Sequence, residues 1–279
     1  MLVCNNLKKS FGTNHVLKDV SFCVNDGEIV CLLGNNGAGK TTIINCILKM
    51  IKADSGEILL DGKDIRSLKK KVYFSKVNAL LESSCNVYDY LSGWQNIEYF
   101  AGLMNLDDSF MQRAERYIAD FELSGSINEP VGKYSRGMQQ KLALIVALIS
   151  EPELLLLDEP TLGLDIKSKL NVISILNRIV GEQKMSVILT THQMDVVQKL
   201  NSRILLLKDG VVEPFDPAGC EAPLEYDVSY IRDGEVVQVR EAGTFDAVYK
   251  KYTPFEIVEI RKVEKDIEDV ILEALDESR

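Results

Sequence analysis

The chain has 279 residues, 46% of them hydrophobic, and its 42 acidic side chains outweigh 32 basic ones to give a formal charge of −10. That length supports one large α/β core with an appendage, and the acidic balance argues against a nucleic-acid partner and against direct binding to anionic lipid. No apolar run reaches the roughly eighteen residues of a membrane span, Met1 leads into polar, strand-like sequence, and the six cysteines lack CxxC spacing, so a cytoplasmic chain with reduced thiols is expected.

Leu2 to Val24 alternates as two strands around the FGTNH turn, with Phe11 at its edge. The apolar run Ile29 to Leu33 then leads into GNNGAGKTT, Gly34 to Thr42. Gly34, Gly39, Lys40 and Thr41 meet the pattern G-x-x-x-x-G-K-[ST] between a strand and a helix, where backbone N–H groups of Asn35, Asn36, Gly37, Ala38, Gly39 and Thr42 can close on phosphates. Lys40 is expected on the outer phosphates and the Thr41 hydroxyl on Mg²⁺. Ser55 to Leu60 reads as a further strand before an Asp61-Gly62 turn, Lys69 to Lys71 as a solvated helix face, and Val77 to Leu81 as an apolar strand.

From Val87 to Leu123 the period becomes helical, with Tyr90, Leu91, Trp94 and Ile97, then Phe110, Ala114 and Tyr117, in step. At that spacing Trp94 reads more readily as core than as the wall of a surface groove. Ser135 and Gly137 precede the helical run Leu142 to Ile149, which alone is ordinary capping chemistry. Four leucines from Leu154 end in Asp158, Glu159 and Pro160: a buried parallel strand ending in two carboxylates, of which Asp158 suits Mg²⁺ and Glu159 suits a general base. A helix from Ile166 to Val180, a strand Val187 to Thr190 and a hairpin Arg203 to Val212 complete this part. Beyond Pro214, Pro217 and Gly219, Tyr226 to Arg240 alternates around Asp233-Gly234 and Phe255 to Val263 alternates again, while Glu264 to Leu275 reads as an amphipathic helix.

Taken in order, GNNGAGKTT, YSRGMQQ, LLLLDEP, LGLD (Leu162 to Asp165) and TTH (Thr190 to His192) resemble the ABC ATPase family, and the resemblance covers most of Met1 to Val212. It implies a P-loop NTPase (RecA-like) α/β core with an antiparallel β subdomain and a helical signature subdomain at about 83–150, within a nucleotide-binding domain at 1–215, followed by a small α+β accessory domain at 220–279. It also implies ATP and Mg²⁺ as ligands and a homodimer or heterodimer stacked head to tail. Each ATP would then lie between Lys40, Thr41 and Asp158 of one copy and Ser135 and Gly137 of the other. His192 matches the family's switch histidine, Asp165 the residue that communicates across the dimer, and Phe11 the aromatic on adenine, against the reading of Phe11 as an edge-strand core aromatic. The family's metal-sensing glutamine falls on Glu82, a departure that adds a carboxylate near the metal.

The similarity extends to the ABC-2, drug-exporter-like branch. It implies a peripheral position on the cytoplasmic face of a membrane, a separate multi-span permease subunit docked in a groove near Glu82, and ATP-driven export. The alternative is a soluble ABC ATPase of DNA repair or of ribosomes, which the absence of a long coiled coil and of a second ATPase half disfavours.

Overall fold

In the computed structural model, which describes residues 1–81, 87–216 and 225–263, the chain opens as a long antiparallel hairpin of β1 (Leu2–Phe11) and β2 (Asn14–Val24). β3 (Ile29–Leu33) enters the core and runs into the glycine-rich loop, from which α1 (Lys40–Ile47) rises. β4 (Ser55–Leu60) and the short β5 (Lys63–Asp64) extend the antiparallel layer. A 3-10 turn (Ile65–Ser67) and α2 (Lys70–Phe74) then lead to β6 (Val77–Leu80). Three helices follow, α3 (Gly93–Met104), α4 (Ser109–Asp120) and α5 (Arg136–Leu148). The core resumes with β7 (Leu154–Asp158), α6 (Ile166–Gln183), β8 (Ser186–Thr190), α7 (Met194–Lys199), β9 (Ser202–Lys208) and β10 (Val211–Phe215).

Among the described residues these strands form one ten-stranded sheet in the order β5-β4-β1-β2-β10-β9-β3-β8-β7-β6. The run from β9 to β6 is parallel, and its strands are continuously apolar because helices or the antiparallel layer cover both faces. Ile29 and Cys31 of β3 point into the core shared with α5 and α6, whereas Val30 and Leu32 point into the core shared with α1, β1 and β2. Each fully buried aliphatic side chain there contributes about 1.5–3 kcal/mol.

The helical stripe expected from Tyr90 starts later in the molecule. Ser92 forms a capping box with Gln95, so α3 begins at Gly93 and Tyr90 lies outside it, 77% exposed. Trp94 packs partly buried against the core and donates its indole N–H to Glu98 Oε1 at 2.8 Å. Downstream, α5 starts at Arg136 rather than Leu142, because the Ser135 hydroxyl accepts from Met138 N and caps it; Gly137 is therefore a helical residue.

The chain divides into two units, Met1–Phe215 and Asp216–Arg279. In the second, β11 (Glu225–Arg232) is flanked by β12 (Glu235–Ala242) and β13 (Glu256–Val263), with α8 (Phe245–Tyr252) between the last two in sequence. Tyr226, Val228 and Tyr230 of the middle strand pack on Val248 and Tyr252 of α8. Burial and the hydrogen bond from its hydroxyl to Glu241 Oε1 push Tyr252 up to about 12. The helix expected at Glu264 to Leu275 lies outside the described residues.

Candidate functional site

Strand parity decides which groups meet. Along β7, Leu154 and Leu156 face the α1 side of the sheet and Leu155 and Leu157 face α5 and α6, so Asp158 falls on the α1 side. There its Oδ2 accepts from the Thr41 hydroxyl at 3.0 Å and its Oδ1 accepts from the Thr190 hydroxyl. Thr190 stands opposite Asp158 in the β7–β8 register. Asp158 is only 4% exposed, and these two hydroxyls make its burial tolerable.

The loop before α1 is shaped for backbone approach. Ala38 N donates to Asn35 O at 3.1 Å, and Gly39 has a φ of 112°. A Cβ at Gly39 would lie 2.9 Å from both Val16 Cγ1 and Leu17 Cδ2, so the position requires glycine sterically as well as conformationally. Lys40, the first residue of α1, is buried, and its ammonium donates to Gly34 O at 2.6 Å and Asn35 O at 3.2 Å, curled over its own loop. Asn36, Gly37, Gly39, Lys40, Thr41 and Thr42, with Val16, Asp158 and Glu159, line a cleft of about 340 Å³.

Glu159 closes the cleft with an unusual backbone. Its φ is +51°, in the left-handed region that a non-glycine residue holds only when neighbours fix it. Here its N–H donates to Thr190 O at 3.1 Å. Its Oε1 lies 2.8 Å from His192 Nδ1, while Oε2 is buried without a hydrogen-bond partner among the described residues. An acceptor held in that state favours a donor such as a water molecule.

The other expected residues sit apart from this cleft. Ser135 and Gly137 occupy the first turn of α5, where a Cβ on Gly137 would lie 3.5 Å from Leu164 and where Gln140 Nε2 donates to Pro160 O at 3.0 Å. Asp165 caps α6; the Ser168 amide and hydroxyl hold its carboxylate below the usual range. Phe11 ends β1 at 48% exposure, with the Lys9 ammonium 5.4 Å from its ring centroid, so it is not a core aromatic. Glu82 lies outside the described residues.

Sequence reasoning missed Thr190 as a site residue, and also Gln193, whose Oε1 accepts from Thr161 Oγ1 at 3.2 Å. The parity of β7 and β8 was the signal for Thr190, since two short apolar strands ending level place their last polar side chains side by side. It also missed Asn96, fully buried in α3, whose amide exchanges hydrogen bonds with the Tyr88 backbone at 2.6 and 3.1 Å and so fixes the entry to the helical region.

A family model described as ABC transporter matches residues 17–162. The SkfA peptide export ATP-binding protein SkfE of Bacillus subtilis is 33% identical over 214 residues, 75% of this chain and 86% of that one. The molybdate/tungstate import ATP-binding protein WtpC of Methanocaldococcus jannaschii is also 33% identical, over 91% of each chain. Among solved structures, a dimeric ATP-binding cassette in a post-hydrolysis state bound to ADP and Pi superposes with a TM-score of 0.67 and 27% identity, over 76% of this chain and 97% of that chain.

Proposed function

Because this chain belongs to the ABC transporter family as an ATP-binding, ATP-hydrolysing protein, we propose that it couples ATP-driven dimerisation to export through a separate membrane subunit. The observation that carries the catalytic part is Glu159. Its Oε2, buried without a hydrogen-bond partner among the described residues, belongs to a side chain that lines the phosphate cleft and would accept a proton from an attacking water, while His192 on Oε1 would hold the carboxylate. Lys40 would exchange its loop carbonyls for the outer phosphates, and the loop N–H groups with the start of α1 would cradle the inner ones.

The Thr41 hydroxyl and Asp158 carboxylate, 3.0 Å apart, offer the hard oxygen donors that suit Mg²⁺. Among the described residues no three His, Cys, Asp or Glu side chains cluster as a metal site, so the remaining donors would be phosphate oxygens and water. Bound there, the ion would supply charge neutralisation at the phosphates. Glu82 is proposed to join this shell from the segment after β6.

Two exposed apolar surfaces support the partner reading. Leu162, Ile166 and Leu170 stand exposed around the Asp165 cap and would face a second copy, bringing that copy's Ser135 and Gly137 over the ATP. Tyr90, Tyr99 and Leu103 stand exposed on the helical region, the kind of patch that receives a protein partner, here a multi-span permease. No helix among the described residues is long and apolar enough to cross a membrane itself. Export is favoured by the form of the YSRGMQQ signature and by the likeness to SkfE; the equal identity to WtpC makes import the competing direction. Phe11, half exposed at the end of β1, is proposed to stack on the adenine.

The test is Glu159→Gln. Turnover is expected to fall by about 10²–10⁴-fold, ATP affinity to persist, and an ATP-dependent dimer to accumulate. Unchanged turnover would remove Glu159 as the base, and a monomer with bound ATP would remove the shared site. Purification of the tagged chain from its native membranes should bring a multi-span protein in stoichiometric amount, and transport assays on inverted vesicles of that complex then decide direction.

A further inference from the structure

A basic cluster of this acidic chain lies beyond the end of α1, away from the phosphate loop. There a cavity of about 340 Å³ opens between α1, β4 and the 3-10 turn before α2. Its floor is apolar, formed by Leu7, Ile51, Ala53, Ile58, Ile65 and Leu68. Lys49, Lys52, Lys70 and Arg66 stand around it, against one carboxylate, Glu57, which already accepts from the Asn5 amide at 3.0 Å. Arg66 is taken up by Asp64, whose carboxylate receives both its Nε and its terminal nitrogen. The three lysines are not.

Lys49 is the anchor of this arrangement. It follows the C-cap of α1 in the left-handed region, with a φ of 56°, and its ammonium lies on neutral groups, donating to Leu68 O at 3.1 Å with the Tyr73 ring centroid at 4.4 Å. Desolvation, reinforced by Lys70 and opposed by Asp64, lowers it below the usual lysine range. Neither Lys52 nor Lys70 forms an ion pair among the described residues. A cation at a helix C-terminus ordinarily serves the last carbonyls. Here those carbonyls are already served by backbone: Asn45 O accepts from Met50 N and Ile51 N at 3.0 and 3.1 Å, and Cys46 O accepts from Lys49 N at 3.1 Å. The lysines therefore gather around an apolar cavity for which the helix itself has no need.

We propose that this cavity is a second ligand site, for a small amphipathic anion with an apolar body and one carboxylate, sulfate or phosphate head. The body would cover Ile51, Ala53 and Leu68, which are partly exposed over the buried Leu7, Ile58 and Ile65, and the head would lie among Lys49, Lys52 and Lys70. The volume admits a compact organic anion, at the lower end of the range of small-molecule pockets. It shares no lining residue with the phosphate cleft.

Octanoate is the probe, with its neutral amide octanamide as the control, titrated into the full chain while the methyl resonances of Ile51, Ile58 and Ile65 are followed by NMR. Octanoate is expected to shift all three methyls along one saturable curve. Octanamide, and octanoate with the surface variant K52E/K70E, are each expected to bind about tenfold more weakly, and A53F, which fills the cavity, to abolish the shifts. Unmoved methyls, equal affinity for octanamide, or an unaltered curve in K52E/K70E would each overturn the proposal. Capture of the chain by phosphatidylglycerol vesicles, with the methyls unmoved by octanoate, would overturn it in favour of a membrane surface.

Discussion

Thr190→Val isolates the hydroxyl that ties the Asp158 carboxylate and the Glu159 backbone N–H to β8. The side chains are nearly isosteric and Thr190 is fully buried, so the change removes one hydroxyl and little packing. That hydroxyl donates to Asp158 Oδ1 and also lies 3.3 Å from Glu159 N. Glu159 N keeps the Thr190 carbonyl at 3.1 Å, and Asp158 keeps Thr41 at 3.0 Å, so the net loss is one hydrogen bond to a buried carboxylate. Such a bond is worth about 1.5–3 kcal/mol. For a unit of this size each kcal/mol moves the transition by roughly 2–4 °C, so the melting temperature should drop by about 3–12 °C. Differential scanning calorimetry without nucleotide measures it, with Thr190→Ser as the companion that keeps the hydroxyl and loses a methyl. If the valine variant melts with the wild type while the serine variant falls, packing holds Thr190 in place and the hydrogen-bond argument is wrong.

Glu28, just before β3, carries an acid-dependent contribution. Burial alone would raise its pKa, but the Arg203 guanidinium, at 2.6 Å from Oε1, and the Asn25 amide hold it below the usual carboxylate range. A depressed pKa contributes stability that is present above the unfolded value of about 4.3 and is lost as pH falls through the folded one. Arg203→Leu should therefore cost about 2 kcal/mol at neutral pH and flatten the rise in stability from pH 3 to 6; urea titrations across that range check both, and parallel profiles would refute the assignment. Gly93→Ala should destabilise the helical region by about 1–3 kcal/mol, since a Cβ there would lie 2.5 Å from the Tyr134 hydroxyl and 2.8 Å from Ile127 Cδ1. Adding Tyr134→Phe should recover part of that loss, less the hydrogen bond from Tyr134 to Ser126 O; no recovery would point to a different clash.

The parallel core was legible because burial on both faces leaves short uninterrupted apolar runs, and β3, β7 and β8 begin and end within a residue or so of where those runs do. Lys40, Thr41, Asp158 and Glu159 were legible for the same reason: strand ends and a glycine loop set their positions locally, and the fold brings them to one cleft. The start of α3 was misplaced because Tyr90 and Leu91 fit a helical period by chance, while the Ser92–Gln95 capping box that sets the boundary is a local polar signal. α8 went unread although Thr244 caps it and Lys250 and Lys251 close its last turn; eight residues give too few turns for periodicity to stand out. The partner of Glu159 Oε1 follows from how far the turn after β8 carries His192, which no spacing encodes.

The sheet also contains a narrow join. Among the described residues β2 and β10 share one registered pair, Asp19 with Val211, supplemented by Gly210 O accepting from Lys18 N and Asp19 N at 2.8 and 3.3 Å. On either side of it, β1 with β2 and β9 with β10 run as long ladders. The antiparallel layer that carries Phe11 is therefore attached to the parallel core mostly by apolar packing, which is non-directional and tolerates sliding where a ladder does not. Such a join would let the layer rock as a plate at the cost of the two backbone bonds to Gly210 O. Because apolar adhesion weakens on cooling, its compliance should grow at low temperature while the ladders on both sides stay stiff.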